Sequence, residues 1–440
     1  MTARALFAAL LLMVGAAAGA QETLTLSGAL AEAATKSDAA KSSALQLQEA
    51  SQKTDEVKSA YVPSVDISGG RTMLNNDPFF AFGPVIFPAG EQDYWSYQLT
   101  AKYLLWDFGR RKRAVDASLS RETAVDKAGR DAVVKNQLQA ADSYLGALLY
   151  DSRHEVIALR KKALQDHLRV ARDLFDHGVV ARNDLLRTEV ALRNVEDQDK
   201  DAGNGATIAR QALNRSLGRD PSAPVTLVKE LPAAPPLPWD SEGAKKAALE
   251  RNPSIAALEA RVQAAEASVN FERREGAPAF VAEAFHNYSQ NRYMLYPYVT
   301  GAFVGVSWSL DGGARHARLS QSMTEADLAR VALDDARRGV AIQVEQAYRD
   351  FQQAEREEQT AETNVKASLE NLRIIEDQYK EGIAKTTDVL DAESILADSR
   401  YTLAAQRLRA YQKQAQLLAL CGEDLAKFYS QLPADLTKEP

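Results

Sequence analysis

The chain has 440 residues, 53 Lys and Arg against 60 Asp and Glu, and a formal net charge of −7, so there is no basic surplus to suit nucleic acid. A single cysteine, Cys421, excludes an intrachain disulfide and a cysteine-rich metal site. The five histidines are scattered with no i, i+4 pair, Gly312-Gly313 lacks the Gly-Lys-Ser/Thr context of a phosphate loop, and no Ser/His/Asp arrangement is readable. No cofactor, metal or catalytic site is expected, and the chain is not read as an enzyme.

Residues 1–20 read as a secretory signal peptide. Arg4 supplies the positive end, Ala5 to Val14 the apolar stretch, and Ala18-Gly19-Ala20 the small-residue cleavage site. No cysteine lies near that junction, so lipidation is not expected. No later apolar run approaches the roughly 20 residues of a spanning helix. A membrane-embedded part would have to be a closed β-barrel.

Residues 26–60 are alanine-rich and helix-favouring, and Pro63 ends that segment. From Ser64 to Arg71, Val65, Ile67 and Gly69 alternate with Asp66, Ser68 and Gly70, as in a half-buried strand. A loop over 74–93 carries Phe79, Phe80, Phe82 and Phe87, apolar residues that ask for a membrane interface, a partner or packing within the loop. Trp95, Tyr97, Leu99, Ala101 and Tyr103 then alternate with Ser96, Gln98, Thr100 and Lys102. Aromatics near each end of an apolar face suit the girdles of an outer-membrane barrel.

Period 2 stops at Asp107-Phe108-Gly109. A glycine permits the positive φ needed where a strand turns into a helix, and an aspartate beside it can cap the first free N–H groups. From Arg110 to Asp176 there is no proline. A helix of that span would be about 100 Å long at 1.5 Å per residue, beyond globular lengths. The basic run Arg110-Arg111-Lys112-Arg113 that starts it reads as solvated or placed near lipid headgroups. His177-Gly178-Val179-Val180 breaks the helix, and a second runs to Leu217.

The order then recurs. A shift of 204 carries Asp107 to Asp311, Gly109 to Gly313, Tyr144 to Tyr348, Phe175 to Tyr379, Gly178 to Gly382, Asp184 to Asp388 and Gly218 to Gly422. The chain therefore divides into repeat 1 over 21–219 (helix, β-hairpin about 64–104, long helices about 110–217), a proline-rich connector over 220–240, repeat 2 over 241–422 (helix about 241–275, β-hairpin about 279–310, long helices about 315–420) and a tail over 423–440. In repeat 2, Val304, Val306, Trp308 and Leu310 alternate out of phase with the strand 94–103, so either one of the two strands carries a bulge or the register between the repeats is off by one. Four strands cannot close a spanning barrel, for which about eight is the minimum. Three copies would supply twelve.

The duplicated Asp-x-Gly and Gly-Gly junctions, Asn252-Pro253, and Tyr379-x-x-Gly382 followed by Thr387-Asp388-Val389-Leu390-Asp391-Ala392 resemble the TolC-like outer-membrane efflux protein family, the outer-membrane factors. The resemblance covers nearly the whole chain beyond the leader. It implies a mainly α fold with a small β part: duplicated long-helix/β-hairpin repeats forming a trimeric 12-stranded outer-membrane β-barrel, continued by a periplasmic α-helical barrel. The implied function is the exit duct of a tripartite efflux pump or type I secretion system. The implied partners are two further copies of the chain, a periplasmic adaptor, an inner-membrane transporter reached through it, and outer-membrane lipid. The implied gate at the periplasmic entrance is Asp388 and Asp391, with Asp184 as the repeat-1 counterpart of Asp388, and Tyr379. Where some relatives carry an arginine two residues after the glycine, this chain has Ala384 with Lys385 beside it, so the closing link is expected to use Lys385 or Arg182, or to be absent. Gly178, Val179, Val180, Gly382, Ile383 and Ala384 are the helix tips expected to meet the adaptor. Capping alone would account for Asp388, but not for Asp391. The competing reading is a non-conducting periplasmic coiled-coil scaffold or adaptor-like protein.

Overall fold

The computed structural model describes residues 23–228, 231–309 and 312–431. The expected leader, Leu310 and Asp311 of the second junction, and the last nine residues of the tail lie outside the described residues.

In chain order, β1 (Thr23–Leu24), α1 (Leu26–Thr35) and α2 (Asp38–Lys58) are followed by β2 (Ser64–Met73), β3 (Phe79–Phe82), β4 (Val85–Pro88) and β5 (Asp93–Trp106). Then come α3 (Arg110–Asp176), α4 (Arg182–Ser216), β6 (Thr226–Leu227), α5 (Ser241–Arg251) and α6 (Pro253–Glu275). The second half continues with β7 (Ala279–Ser289), β8 (Tyr298–Ser307), α7 (Ala314–Lys380), α8 (Thr386–Leu420) and α9 (Leu425–Tyr429). α3 and α7 are each 67 residues, and α4 and α8 each 35. All four of these helices begin and end at positions related by the shift found in the sequence.

Two expected helices are broken. The segment 26–60 stops at Lys36–Ser37, where the Ser37 hydroxyl accepts a hydrogen bond from Ala40 N at 3.2 Å and so starts α2 afresh. The segment 241–275 is interrupted at Asn252, because Pro253 drives the preceding residue out of helical geometry while itself fitting a first helical position. The loop at 74–93 is not irregular throughout. β3 and β4 pair as a hairpin whose eight residues are all exposed.

The chain forms two compact units. The first contains residues up to Ser43, Arg130–Pro253 and Arg337 onward. Its core is built by α1, α3, α4, α8 and α9 through Leu26, Leu30, Tyr144, Leu213, Leu418 and Leu425, all buried. Small residues, Ala29, Ala33, Ala140 and Ala141, let the helices approach closely. The proline-rich connector is tied to this core by its carbonyls. Tyr411 Oη donates to Pro232 O at 3.1 Å, and Gln414 Nε2 donates to Pro235 O. Tyr144 Oη does the same for Leu24 O of β1 at 2.9 Å. The first two bonds satisfy backbone acceptors in a proline-rich stretch outside any ladder, whereas Leu24 O also accepts from Val228 N at 3.3 Å across the β1–β6 pair.

The second unit, Ala44–Gly129 with Ser254–Ala336, holds the antiparallel sheet β2-β5-β7-β8. Ile67, Leu99, His286 and Thr300 share one row, and Val65, Ala101, Ala284 and Ala302 the next, so these belong to one face. Asp66 and Thr100, Ser68, Gln98 and Asn287, and Lys102 with Glu283 belong to the other. The first face is mainly apolar and the second mainly polar. The register shifts between Leu104 and Trp106 of β5, which brings Trp106 onto the apolar face opposite Phe280. The bulge expected from the phase mismatch therefore lies in β5. β8 begins at Tyr298, earlier than the alternation at Val304 suggested, and ends before Trp308.

Candidate functional site

The first junction is built on Asp107, which is buried. Its Oδ1 accepts from Gly109 N at 3.1 Å, and its Oδ2 from Arg111 N at 2.8 Å and Arg111 Nε at 3.1 Å. Arg111 also donates to Ala60 O at 3.2 Å and lies 4.6 Å from the centre of the Tyr61 ring. One carboxylate thus closes the start of α3 and holds a cation that ties the turn after α2 to it. Gly109 has φ 86° and Gly313 φ 106°. The residue before Gly313 is Gly312 at φ 62°, whereas the residue before Gly109 is Phe108 at φ 54°, a left-handed conformation costly for a side chain. Of the expected second junction, Asp311 is outside the described residues.

The two helix breaks have one geometry. Gly178 (φ 75°) donates to Phe175 O at 2.9 Å, and Val179 N to Leu174 O at 2.8 Å. Gly382 (φ 72°) donates to Tyr379 O at 3.0 Å, and Ile383 N to Gln378 O at 2.9 Å. This is a left-handed glycine stop with paired reverse bonds, which satisfies the last helix carbonyls. Val179 and Ile383 are left exposed at the tips, Ala384 is half-buried, and Val180 is half-buried too.

At the start of α8, Asp388 Oδ2 accepts from Lys385 N at 2.9 Å, so this carboxylate does cap the helix. Asp388 and Asp391 are both exposed, one turn apart. Asp391 borders a groove of about 540 Å³ with Asn183, Leu186, Arg187, Thr387 and Leu390. Asp184 is half-buried in the first turn of α4, and Thr188 Oγ1 donates to its backbone carbonyl at 3.1 Å. Neither Lys385 nor Arg182 forms a salt bridge among the described residues.

Tyr379 is buried at the end of α7, where Thr386 Oγ1 donates to its Oη at 3.3 Å. Its ring lies 4.9 Å from that of His167 on α3. Burial holds the His167 pKa below the ordinary imidazole value, and its Nε2 is buried without a hydrogen-bond partner. Two turns into α8, Glu393 is buried, and burial, then Glu376, raises its pKa above the usual carboxylate range, with Arg160 and Arg400 opposing. His167 and Glu393 were not picked out by sequence reasoning. A polar residue on a long amphipathic helix shows its burial only once the neighbouring helices are placed.

Among the described residues no group of three His, Cys, Asp or Glu side chains could hold a metal, and no helix is long and apolar enough to cross a membrane. The family model for outer membrane efflux proteins matches residues 29–219 and 245–423, both repeats. The chain belongs to the outer membrane efflux protein family. This is a family of channel proteins, not of enzymes, and the resemblance read from the glycine junctions and the Thr387–Ala392 motif is correct. Protein CyaE of Bordetella pertussis is 26% identical over 389 residues, covering 83% of this chain and 77% of that protein. The alkaline protease secretion protein AprF of Pseudomonas aeruginosa is 24% identical, over 73% of this chain and 70% of its own. The outer-membrane channel OprN superimposes with a TM-score of 0.73 at 20% identity, covering 90% of this chain and 89% of the other. The outer membrane protein VceC of Vibrio cholerae does so at 0.71 and 17%, covering 90% and 96%. The fold is that of these channels: mainly helical, duplicated, with a small sheet.

Proposed function

We propose that three copies of this chain assemble into an outer-membrane channel that serves as the exit duct of a tripartite efflux pump or type I secretion system. The observation that carries the reading is the sheet β2-β5-β7-β8. It has an apolar face, a polar face, and two edge strands, β2 and β8, that have no second partner strand among the described residues. Open edges are not tolerated inside a bilayer, so a sheet of this kind must be closed by other copies. Three copies give twelve strands, an even number within the range of such barrels. The apolar face then meets lipid and the polar face, with Lys102 and Glu283, lines the lumen. From Trp95 to Trp106 the apolar face rises about 34 Å along the strand, or roughly 26 Å at a tilt near 40°, the height of an outer-membrane apolar band.

In this reading the helices extend into the periplasm and the glycine breaks form the far tips. Gly178, Val179, Val180, Gly382, Ile383 and Ala384 meet a periplasmic adaptor, through which an inner-membrane transporter is reached. Asp388 and Asp391, with Asp184, Lys385 and Tyr379, form the entrance. Asp388 is occupied as a cap on one oxygen and keeps its charge exposed, so capping and lining the entrance are compatible. Secretion is the service named for one relative, AprF. Planar-bilayer recording of the purified mature protein tests the function. Discrete conductance steps are expected, and their complete absence with folded protein would favour the non-conducting scaffold.

A further inference from the structure

Four chain segments meet at the end of the sheet that carries the bulge: the turn after α2, the start of α3, the end of α6 and the start of α7. Arg111 donates to Ala60 O, while Trp308 Nε1 and Arg315 both donate to Gly276 O at 3.2 Å. This rim departs from the rest of the chain in three ways.

The first is aromatic. The bulge turns Trp106 onto the apolar face beside Phe280, and Phe108 joins them with its ring 6.2 Å from Trp106 and 6.5 Å from Phe280. Phe108 stands where the second repeat has Gly312, and it keeps its ring there despite a left-handed backbone. A strained side chain where glycine would fit without strain points to a use for the ring itself. All three rings are exposed to solvent.

The second is charge. Residues 106–113, 271–276 and 308–318 contain eight Lys or Arg and four Asp or Glu, in a chain whose net charge is −7. Arg110, Lys112, Arg273 and Arg274 form no salt bridge among the described residues, and the last three are exposed. The third is placement. α4, α5 and α8 carry an acidic residue in the first turn, as the helix dipole favours. α1, α6 and α9 carry none, and neither do α3 and α7, which differ from those three in beginning with Arg110-Arg111-Lys112-Arg113 and Arg315-His316. Asp107 caps the start of α3 and holds Arg111, but Arg110 and Lys112 stand there without a carboxylate partner among the described residues, beside an aromatic belt. An anionic surface in contact with the rim supplies that partner.

We propose that this rim is a docking surface for the anionic headgroups of glycerophospholipids in the periplasm-facing leaflet of the outer membrane. Trp106, Phe108 and Phe280 sit at the headgroup boundary, and Arg110, Lys112, Arg273 and Arg274 bind the phosphates just beyond it. The inference rests on the barrel assignment above. The rim continues the apolar face that the barrel presents to lipid, and its charge complements phosphatidylglycerol rather than a zwitterionic headgroup.

The test is native mass spectrometry of the delipidated full chain in detergent, after incubation with phosphatidylglycerol, phosphatidylethanolamine or lipid A. The wild type is expected to retain phosphatidylglycerol over phosphatidylethanolamine by about fivefold for each engaged cation, and to lose it as salt rises from roughly 0.05 to 0.5 M. Arg110→Gln, Lys112→Gln, Arg273→Gln and Arg274→Gln together abolish the preference and leave bilayer conductance in place. Phe108→Gly weakens retention of both phospholipids. Equal retention of the two phospholipids by the wild type overturns the proposal, as does preference for lipid A, whose phosphates lie in the other leaflet. Should the fourfold variant fail to fold, Lys112→Gln alone and the wild-type salt series decide. A wild type that neither conducts nor enters bilayers would instead overturn the barrel assignment, and the docking surface with it.

Discussion

Asp107→Ala tests the junction most sharply. The substitution removes two acceptors for backbone N–H groups at the start of α3, a loss of about 1 kcal/mol. It also strips Arg111 of its carboxylate, and the Arg111 side chain is only 11% exposed. Breaking a buried pair costs about 3–5 kcal/mol. Arg111 keeps the Ala60 carbonyl and the Tyr61 ring, which lowers the loss below that range, to about 2 kcal/mol. The expected total is about 3 kcal/mol, or roughly 6 °C at 2 °C per kcal/mol for a long chain. Asp107→Asn retains an oxygen for the backbone donors and loses only the charge, so it should fall about midway. The assay is thermal unfolding of the detergent-solubilised protein by circular dichroism at one scan rate. An Ala variant within about 1 °C of wild type would refute the reasoning, as would an Asn variant less stable than Ala.

Gly382→Ala places a side chain at φ 72° with open space around it, so backbone strain alone should cost about 1–2 kcal/mol, measurable as a lower unfolding midpoint; an unchanged midpoint would mean the break relaxes freely. Asp388→Ala with Asp391→Ala should raise single-channel conductance or reduce cation selectivity, and unchanged currents and selectivity would remove both residues from the entrance. His167 has a lowered pKa when folded, so protonation favours unfolding, and stability falls as pH drops below the unfolded imidazole pKa. The wild type should therefore lose more stability than His167→Gln between pH 7 and 5, and parallel profiles would contradict this. Glu393 has a raised pKa, so its ionisation opposes folding as pH rises past the unfolded carboxylate value. Glu393→Gln should stabilise at pH 8 more than at pH 4, and a destabilised variant at pH 8 would count against it.

The residues that announced the fold are those whose chemistry allows few local solutions. Gly109, Gly178 and Gly382 all take the left-handed conformation that an end-of-element glycine suggests. The alternation from Trp95 to Tyr103 is read directly as two faces of β5. The bulge could be inferred from phase but not placed, since Leu105 looks like any other strand residue until β7 is paired beside it. The β3–β4 hairpin was hidden because FFAF and VIFP are apolar on both faces and show no period. At the proposed entrance, Asp388 could be named from a motif, but its double use as cap and exposed charge needed the Lys385 N–H to be located. His167, Glu393 and the strained Phe108 were beyond the sequence for a related reason. Burial and φ are set by neighbours more than a hundred residues away, or by a backbone turn that a phenylalanine gives no hint of.

The central claim is that three chains close one barrel. Electron microscopy of the detergent-purified mature protein addresses it directly. The account predicts elongated particles with threefold end views around a central opening. Monomeric particles, or rings of any other symmetry, would contradict it.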